Sequence, residues 1–242
     1  MMSKPKSEWK YRSEWKYQSD EVTLSKIRER VGAVLDLDSH ASETGKYAIH
    51  SLYFDDHTNS CARENVDGEG IRFKYRIRYY GDSSDYIFLE KKEKKNSFCH
   101  KRSCKITPEE FWNIVEGNVE DLLWEEDRQL LKEFAVDIVT KHFEPKVIIS
   151  YERIAFVELI SNIRITFDTN IVASNDFDHF LDGTFTKIPV IKGNQQVLEV
   201  KFDDVLPAYV AKVIQNQPIN QQSFSKYYMG RMALQKFTGL QY

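Results

Sequence analysis

The chain has 242 residues, 41% of them hydrophobic and 13% aromatic, enough to bury a sizeable core and too apolar for a disordered segment. The net charge of −3 argues against general polyanion binding, and no apolar run approaches the roughly 18 residues that a transmembrane helix needs. The three cysteines (Cys61, Cys99, Cys104) show neither CxxC pairing nor zinc-like spacing, which leaves reduced thiols in a cytoplasmic protein as the expectation.

The N-terminal residues Met1-Met2-Ser3-Lys4-Pro5-Lys6 carry no apolar stretch of the signal-peptide kind. A hexapeptide then occurs twice, Ser7-Glu-Trp-Lys-Tyr-Arg12 and Ser13-Glu-Trp-Lys-Tyr-Gln18. The second copy precedes a helix signal and reads as the structural one, so residues 1–12 are a candidate extension. Ser19-Asp20-Glu21 is a helix cap, followed by the stripe Leu24, Ile27, Val31 and Val34. Strand-like runs follow over residues 47–54, 72–80, 86–92 and 98–106. Thr107-Pro108-Glu109-Glu110 opens a helix that Gly117 ends. A second helix is predicted over residues 121–141, then strands over 146–156, 164–168 and 196–202. Leu206-Pro207 begins another helix, and residues 225–237 form the last. Strands with helices set between and after them predict an α+β fold in a single domain over residues 1–242.

The charge is segregated. Residues 72–105 hold eleven Lys or Arg against four Asp or Glu, a local +7, so the remainder sums to −10. A basic patch within an acidic chain points to a specific anionic ligand. Within the strands the bases recur at period two, which places them on one face. Arg76 and Arg78 share a face, as do Glu90 and Lys92, Tyr151 and Arg153, and Arg164, Thr166 and Asp168. The Glu-x-Lys alternation occurs at Glu14/Lys16, Glu90/Lys92 and Glu199/Lys201. Any one such strand is an ordinary wet sheet face; six of them repeating the same chemistry are not. If the apolar faces pack outward under helices, the charged faces line a barrel interior. Such an interior needs a bound anion, paired carboxylates and water to offset burial of cations. A linear polyphosphate suits it, because the arginine fork binds phosphate oxygens bidentately. Glu199, Glu14 and Glu90 are candidate ligands for a divalent cation, or else partners of neighbouring lysines.

The ordered stretches Glu14-Trp-Lys-Tyr17, Ser51-Leu-Tyr-Phe-Asp55, Arg76-Ile-Arg-Tyr-Tyr-Gly81, Leu89-Glu-Lys-Lys92, Lys101-Arg102, Tyr151-Glu-Arg-Ile-Ala-Phe156, Arg164-Ile-Thr-Phe-Asp168, Leu198-Glu-Val-Lys201 and Ser225-Lys-Tyr227 cover nearly the whole chain. Together they resemble the vacuolar transporter chaperone (VTC) domain of the CYTH, or triphosphate tunnel metalloenzyme, superfamily. The resemblance implies an antiparallel eight-stranded β-barrel tunnel with helices packed outside. It also implies synthesis of polyphosphate from ATP with Mn2+ or Mg2+. It assigns phosphate-handling roles to Arg76, Arg78, Lys92, Arg153, Arg164 and Lys226, with Tyr151 and Ser225 where the family has further phosphate contacts; Lys16, Arg102 and Lys201 are added as candidate substrate-binding residues. The resemblance implies metal binding for Glu199, beside which Glu14 and Glu90 stand as further candidates from their place among the bases.

Two other readings stay open at this point: a triphosphate hydrolase on the same barrel, which would favour a tunnel richer in glutamate, and a non-catalytic polyphosphate-binding module. Nucleic-acid binding fits poorly, because the aromatics fall at core-like spacing and no basic helix or exposed stacking platform is evident. Gly-rich phosphate loops are absent.

Overall fold

Alternation of large apolar and charged residues is what a strand with one dry and one wet face requires, and six strand segments of the chain satisfy it. The computed structural model describes residues 10–39, 45–67, 70–96 and 98–239. Its elements are, in order, β1 (Lys10–Tyr11), β2 (Ser13–Asp20), α1 (Glu21–Gly32), β3 (Asp36–Leu37), β4 (Lys46–Asp55), α2 (Ser60–Asp67), β5 (Ile71–Tyr80), β6 (Ile87–Lys95) and β7 (Phe98–Ile106). There follow α3 (Pro108–Glu116), a 3-10 turn (Asp121–Trp124), α4 (Gln129–Lys141), β8 (Glu144–Glu158), β9 (Ile163–Ser174), β10 (Ile188–Pro189), β11 (Gln195–Phe202), α5 (Ala208–Gln215) and α6 (Lys226–Thr238).

The strand order is β1-β7-β6-β5-β4-β8-β9-β11-β2, antiparallel throughout, with β3 added to β8 and β10 to β9. The two ends of that order are neighbours in the chain, separated by Arg12 alone. One N-terminal strand therefore pairs with β7 at its start and with β11 along the rest of its length. Taking β1 and β2 as that single strand leaves eight strands in the wall. Among the described residues no ladder joins β7 directly to β2; the chain itself carries the wall from one to the other. Lys10 and Tyr11 lie opposite Cys99 and Phe98, so this part of the candidate extension belongs to the wall. Residues 1–9, with the start of the first hexapeptide, lie outside the described residues.

Two apolar layers cover the outside. Tyr75, Ile77, Leu89 and Ile106 from β5, β6 and β7 pack with Phe111 of α3 and with Leu131 and Phe134 of α4, all essentially inaccessible. Phe134 lies 4.4 Å from the Tyr75 ring and 5.0 Å from Phe54. On the other side Leu24, Ile27 and Val31 of α1 and Val210 and Ile214 of α5 cover Ile165, Phe167, Leu198 and Val200. At about 1.5–3 kcal/mol per buried large aliphatic or aromatic side chain, these layers are what turn the apolar strand faces outward.

Local signals set most helix ends. Asp20 accepts a hydrogen bond from the Thr23 backbone, Thr107 and Glu110 form a capping box, and Gly117 closes α3 in the left-handed conformation at φ 82°. Three expectations shift. Val34 is exposed, because α1 ends at Gly32. The helix predicted over 121–141 is interrupted: Glu125 accepts from the backbone N–H groups of Asp127 and Arg128, which competes with helix continuation, and α4 starts only at Gln129. The helix α2 is additional, and its first turn is capped from outside by Asp55 and Asp56.

α6 differs from the other helices. It lies against Val147, Ile149 and Ala173, on the same strand faces that carry the charged residues. A Cβ on Gly230 would come within 2.1 Å of Ile149 Cδ1. Only glycine allows this approach without displacement, and the approach brings the helix N-terminus up to the lumen.

Candidate functional site

The β5–β6 ladder sets the first half of the site. Arg76 lies opposite Glu90 in register, and their side chains meet, Arg76 Nη2 being 2.6 Å from Glu90 Oε2. Arg78 Nη1 approaches the same oxygen at 3.9 Å and Lys101 Nζ reaches Glu90 Oε1 at 2.5 Å. Burial alone would raise the Glu90 carboxyl, but the charges of Arg76, Arg78 and Lys101 hold it far below the usual carboxylate range. Arg78 also donates to Ser51 Oγ (2.8 Å) and Tyr151 Oη (3.3 Å). Arg76 donates to Tyr53 Oη at 3.1 Å. Burial raises the Tyr53 phenol, yet Arg76 and Arg78 outweigh it and bring it down to about 8.

The second half comes from β8, β9 and α6. Arg153 forms a two-pronged pair with Asp168, 2.6 Å from Nε to Oδ1 and 2.8 Å from Nη2 to Oδ2. Lys226, just inside α6, reaches Asp168 Oδ2 at 2.6 Å. Asp168 is wholly inaccessible and kept ionised by Arg153 and then Lys226 against the penalty of burial. The Tyr151 ring lies under both cations, 5.2 Å from Arg153 Cζ and 4.9 Å from Lys226 Nζ. Ser225 caps α6, accepting from the Tyr228 backbone, and its hydroxyl is 3.4 Å from Lys74 Nζ.

β2 and β11 complete the ring. Lys16 faces Glu199 in register; its ammonium is 2.9 Å from Glu14 Oε1 and 4.0 Å from Glu199 Oε2, and it donates to the Phe224 carbonyl at 2.9 Å. Lys92 crosses from β6 to Glu14 at 3.0 Å, and Lys201 pairs with Glu199. Glu14 and Glu199 both lie well below the ordinary carboxylate range: burial opposes ionisation, but Lys92 and Lys16 outweigh it at Glu14, as do Lys201 and Lys16 at Glu199. Burial, joined by Lys92 and Arg153, pulls Lys201 down to about 8 in spite of Glu199. Burial likewise brings Lys74 to about 8, with Lys16 and Lys92 adding to the shift.

The structure thus gathers Arg76, Arg78, Lys92, Arg153, Lys226, Lys16, Tyr151, Lys201, Ser225, Glu199, Glu14 and Glu90 about one lumen. Arg164 stands at its rim, donating to Tyr47 Oη at 2.9 Å and pairing with Asp38 at 2.6 Å. A cavity of about 890 Å3 opens there, bordered by Tyr47, Tyr80, Phe88, Glu90 and Arg164. Arg102 is a correction. It points outward and forms a fork with Glu133 of α4, at 2.6 and 3.1 Å, because it shares a strand face with the core residues Cys104 and Ile106. Lys101 occupies the inward position instead. The face shared with Ile106 is the sequence signal that separates the two. Tyr53, Lys74 and Lys94 also belong to the lumen and were not singled out; Lys74 and Lys94 lie at even spacing from Arg76 and Lys92, so period two alone would have found them, and Asp168, placed by the sequence on the Arg164 face, proves to be the anion that holds Arg153 and Lys226.

The three glutamates differ as metal ligands. Among the described residues no three His, Cys, Asp or Glu come together as a ready cation site. Glu14 and Glu199 converge on the one ammonium of Lys16 and are both ionised, which fits a hard cation that draws its other ligands from phosphate and water. All three carboxylates have both oxygens met by cations, Glu14 by Lys16 and Lys92, Glu199 by Lys201 and Lys16, and Glu90 by Arg76 and Lys101. Glu90 fits a metal least, because its partners include the two arginines Arg76 and Arg78, whereas a cation at Glu14 and Glu199 has only lysine ammonium groups to displace.

The geometry defines an α+β protein whose antiparallel β-wall surrounds a lumen lined by arginine and lysine. The profile of the VTC domain family matches residues 11–235, and the chain belongs to that family. No curated protein matches it. Among solved structures, an adenylyl cyclase candidate from Hippeastrum, described as having a dominant triphosphatase activity, aligns with a TM-score of 0.54 at 13% identity, over 91% of this chain and 96% of that one. A Bacillus halodurans protein described as an adenylate cyclase candidate aligns with a TM-score of 0.44 at 11% identity (86% and 88% covered). A Pyrococcus horikoshii OT3 protein does so at 0.44 and 11% (94% and 99%). At these identities the Hippeastrum likeness is one of fold. Among the described residues no helix is long and apolar enough to cross a membrane.

Proposed function

We propose that the chain is a polyphosphate polymerase that transfers the γ-phosphate of ATP to the end of a growing inorganic polyphosphate chain inside the lumen. One observation carries this reading: the lumen carboxylates are each held by cations, and cations outnumber them. Glu90 faces Arg76, Arg78 and Lys101; Asp168 faces Arg153 and Lys226; Glu14 and Glu199 share Lys16, Lys92 and Lys201. Such a lining serves to neutralise and align two polyanions. Phosphoryl transfer needs that more than covalent help, and an acceptor that is already an anionic phosphate oxygen needs no general base.

In this reading Arg76 and Arg78 fork onto donor phosphate oxygens, with Tyr151 and Ser51 fixing the Arg78 plane. Arg153 and Lys226 hold the acceptor end, their geometry set by Asp168. Glu199 with Glu14 would hold Mn2+ or Mg2+, which when bound would screen phosphate charge.

The test is incubation of the protein with ATP and Mn2+ or Mg2+, scoring acid-stable polymer on a gel beside free phosphate. Polymer with stoichiometric ADP supports the reading. Free phosphate without polymer would replace it by hydrolysis. The observation favouring that second reading is the acidified Tyr53 hydroxyl in the lumen, a group able to take a proton from water near pH 8.

A further inference from the structure

A hydroxyl buried without a hydrogen-bond partner is costly, and the lumen wall carries one. Thr166 is 1% exposed, and its Oγ1 has no hydrogen-bond partner among the described residues. The other lumen hydroxyls are engaged: Ser51 and Tyr151 by Arg78, Tyr53 by Arg76, and Ser225 by the Tyr228 backbone. So are the flanking residues on its own strand face, Arg164 by Asp38 and Asp168 by Arg153 and Lys226. Register fixes what stands beside it. Across β11 it opposes Glu199, which in turn opposes Lys16 of β2. Across β8 it opposes Ala155, which is wholly inaccessible yet belongs to neither apolar layer outside the wall. One row of the lumen therefore reads Ala155, Thr166, Glu199, Lys16, and the row next to it Arg164, Lys201, Glu14.

This row limits what the hydroxyl can meet. Residues directly opposite in an antiparallel pair have Cβ atoms about 4.5–5.5 Å apart, so a group that bonds Thr166 also lies against the Glu199 carboxylate. Ala155 ends at its Cβ and offers no polar atom on the other side. Burial and the neighbouring Glu14 both oppose the Glu199 charge, which Lys201 and Lys16 sustain. A bare phosphate against two carboxylates adds like charge, whereas a hydrated divalent cation satisfies every group present. The carboxylates take the hard cation, and a hydroxyl oxygen with two lone pairs accepts from the water around it.

We propose that Thr166 is a positioning residue for the divalent cation at Glu199 and Glu14, its hydroxyl oxygen accepting a hydrogen bond from the cation's hydration shell. The proposal rests on the cation site of the polymerase reading, but its test reads binding and stability, not polymer. The Thr166 proton is then free to point at a phosphate oxygen, so that one side chain orients the cation against the chain it screens.

The experiment compares binding of tripolyphosphate with and without Mn2+, at pH 7 and fixed salt, for the wild-type chain, Thr166→Val and Thr166→Ser. Valine keeps the branched shape and removes the hydroxyl; serine keeps the hydroxyl. Thr166→Val is expected to lower the Mn2+-dependent gain in affinity about tenfold or more, the usual cost of losing a partner in the outer shell of a metal. Metal-free binding should be unchanged, and Thr166→Ser should retain most of the gain. In a Glu199→Gln background, Thr166→Val should have no further effect on the gain, since the two residues act on one cation. Thermal unfolding of the ligand-free protein supplies an independent reading: replacing an unpartnered buried hydroxyl by a methyl leaves Tm unchanged or raised. An unchanged gain in Thr166→Val, no gain in the wild type, an equal loss of metal-free binding, or a lowered ligand-free Tm would each overturn the assignment. Failure of the polymerase reading looks different: no polymer from ATP, with the Mn2+ effect and its dependence on Thr166 intact.

Discussion

Binding of a polyphosphate should take up protons, and its affinity should fall as pH rises through 8. Two lumen ammonium groups, Lys74 and Lys201, are brought to about 8 in the ligand-free protein, chiefly by burial. A phosphate chain beside them favours the charged form, so each pKa rises on binding. A group whose pKa is raised in the bound state contributes its full share below the free-state value and loses it above. At pH 7 about nine-tenths of each lysine is already charged, and the cost of completing protonation is negligible. At pH 9 only about one molecule in eleven carries the proton, and restoring it costs about 1.4 kcal/mol per lysine, from 1.36 kcal/mol per pH unit. Two lysines give about 2.8 kcal/mol, roughly a hundredfold weaker binding at pH 9 than at pH 7. Tyr53, also brought to about 8, acts in the same direction, because its phenolate adds negative charge to the lumen above that pH. Calorimetric titration with a long polyphosphate at pH 8, in two buffers of different ionisation heat, should show uptake of about one proton by the two half-charged lysines. Lys201→Arg should flatten the pH profile by about tenfold at pH 9. Proton release, or an affinity constant between pH 7 and 9, would refute the reasoning.

Glu199→Gln should abolish polymer formation while leaving polyphosphate binding intact or tighter, since it removes a carboxylate that competes for Lys201 and Lys16; parallel loss of both activities would remove its dedicated role. Asp168→Asn leaves Arg153 and Lys226 without their shared buried anion and should cost about 3–5 kcal/mol of stability, read by denaturant unfolding and partly regained with tripolyphosphate present. Tyr227→Phe removes the 2.6 Å hydrogen bond to the buried Asp55 carboxylate; a loss of about 1–3 kcal/mol is expected in the same assay. Gly230→Ala should lower Tm and weaken phosphate binding together, because its Cβ meets Ile149 and displaces the helix that presents Lys226; an unchanged Tm would show that α6 tolerates movement.

Much of the site was legible because a strand has a strict period of two. Arg76 and Arg78 alternate with Ile77 and Tyr79, and Arg164, Thr166 and Asp168 with Ile165 and Phe167, so each strand announces which residues share a face. Which of the two faces points inward is settled by what covers the other: Tyr75 and Ile77 need α4, and Ile165 and Phe167 need α1 and α5. Helix ends were readable at Asp20, Thr107 and Gly117 because caps are local chemistry. The break before α4 was not, since Glu125 captures the backbone of Asp127 and Arg128 by a local side-chain contact that apolar periodicity does not record.

The sequence by itself therefore determined the α+β class, the strand faces and the basic character of the lumen, because these follow from short-range periodicity and from composition within single segments. Only the tertiary structure decided how charges from distant segments meet. Glu90 is a hub for arginine and lysine and not an open carboxylate, Arg102 clamps α4 from outside, and Lys226 reaches Asp168 across 58 residues of chain. These outcomes depend on strand register, and on a helix that crosses the lumen face where only Gly230 lets it approach. Such long-range pairings leave no periodic trace in the segments that form them.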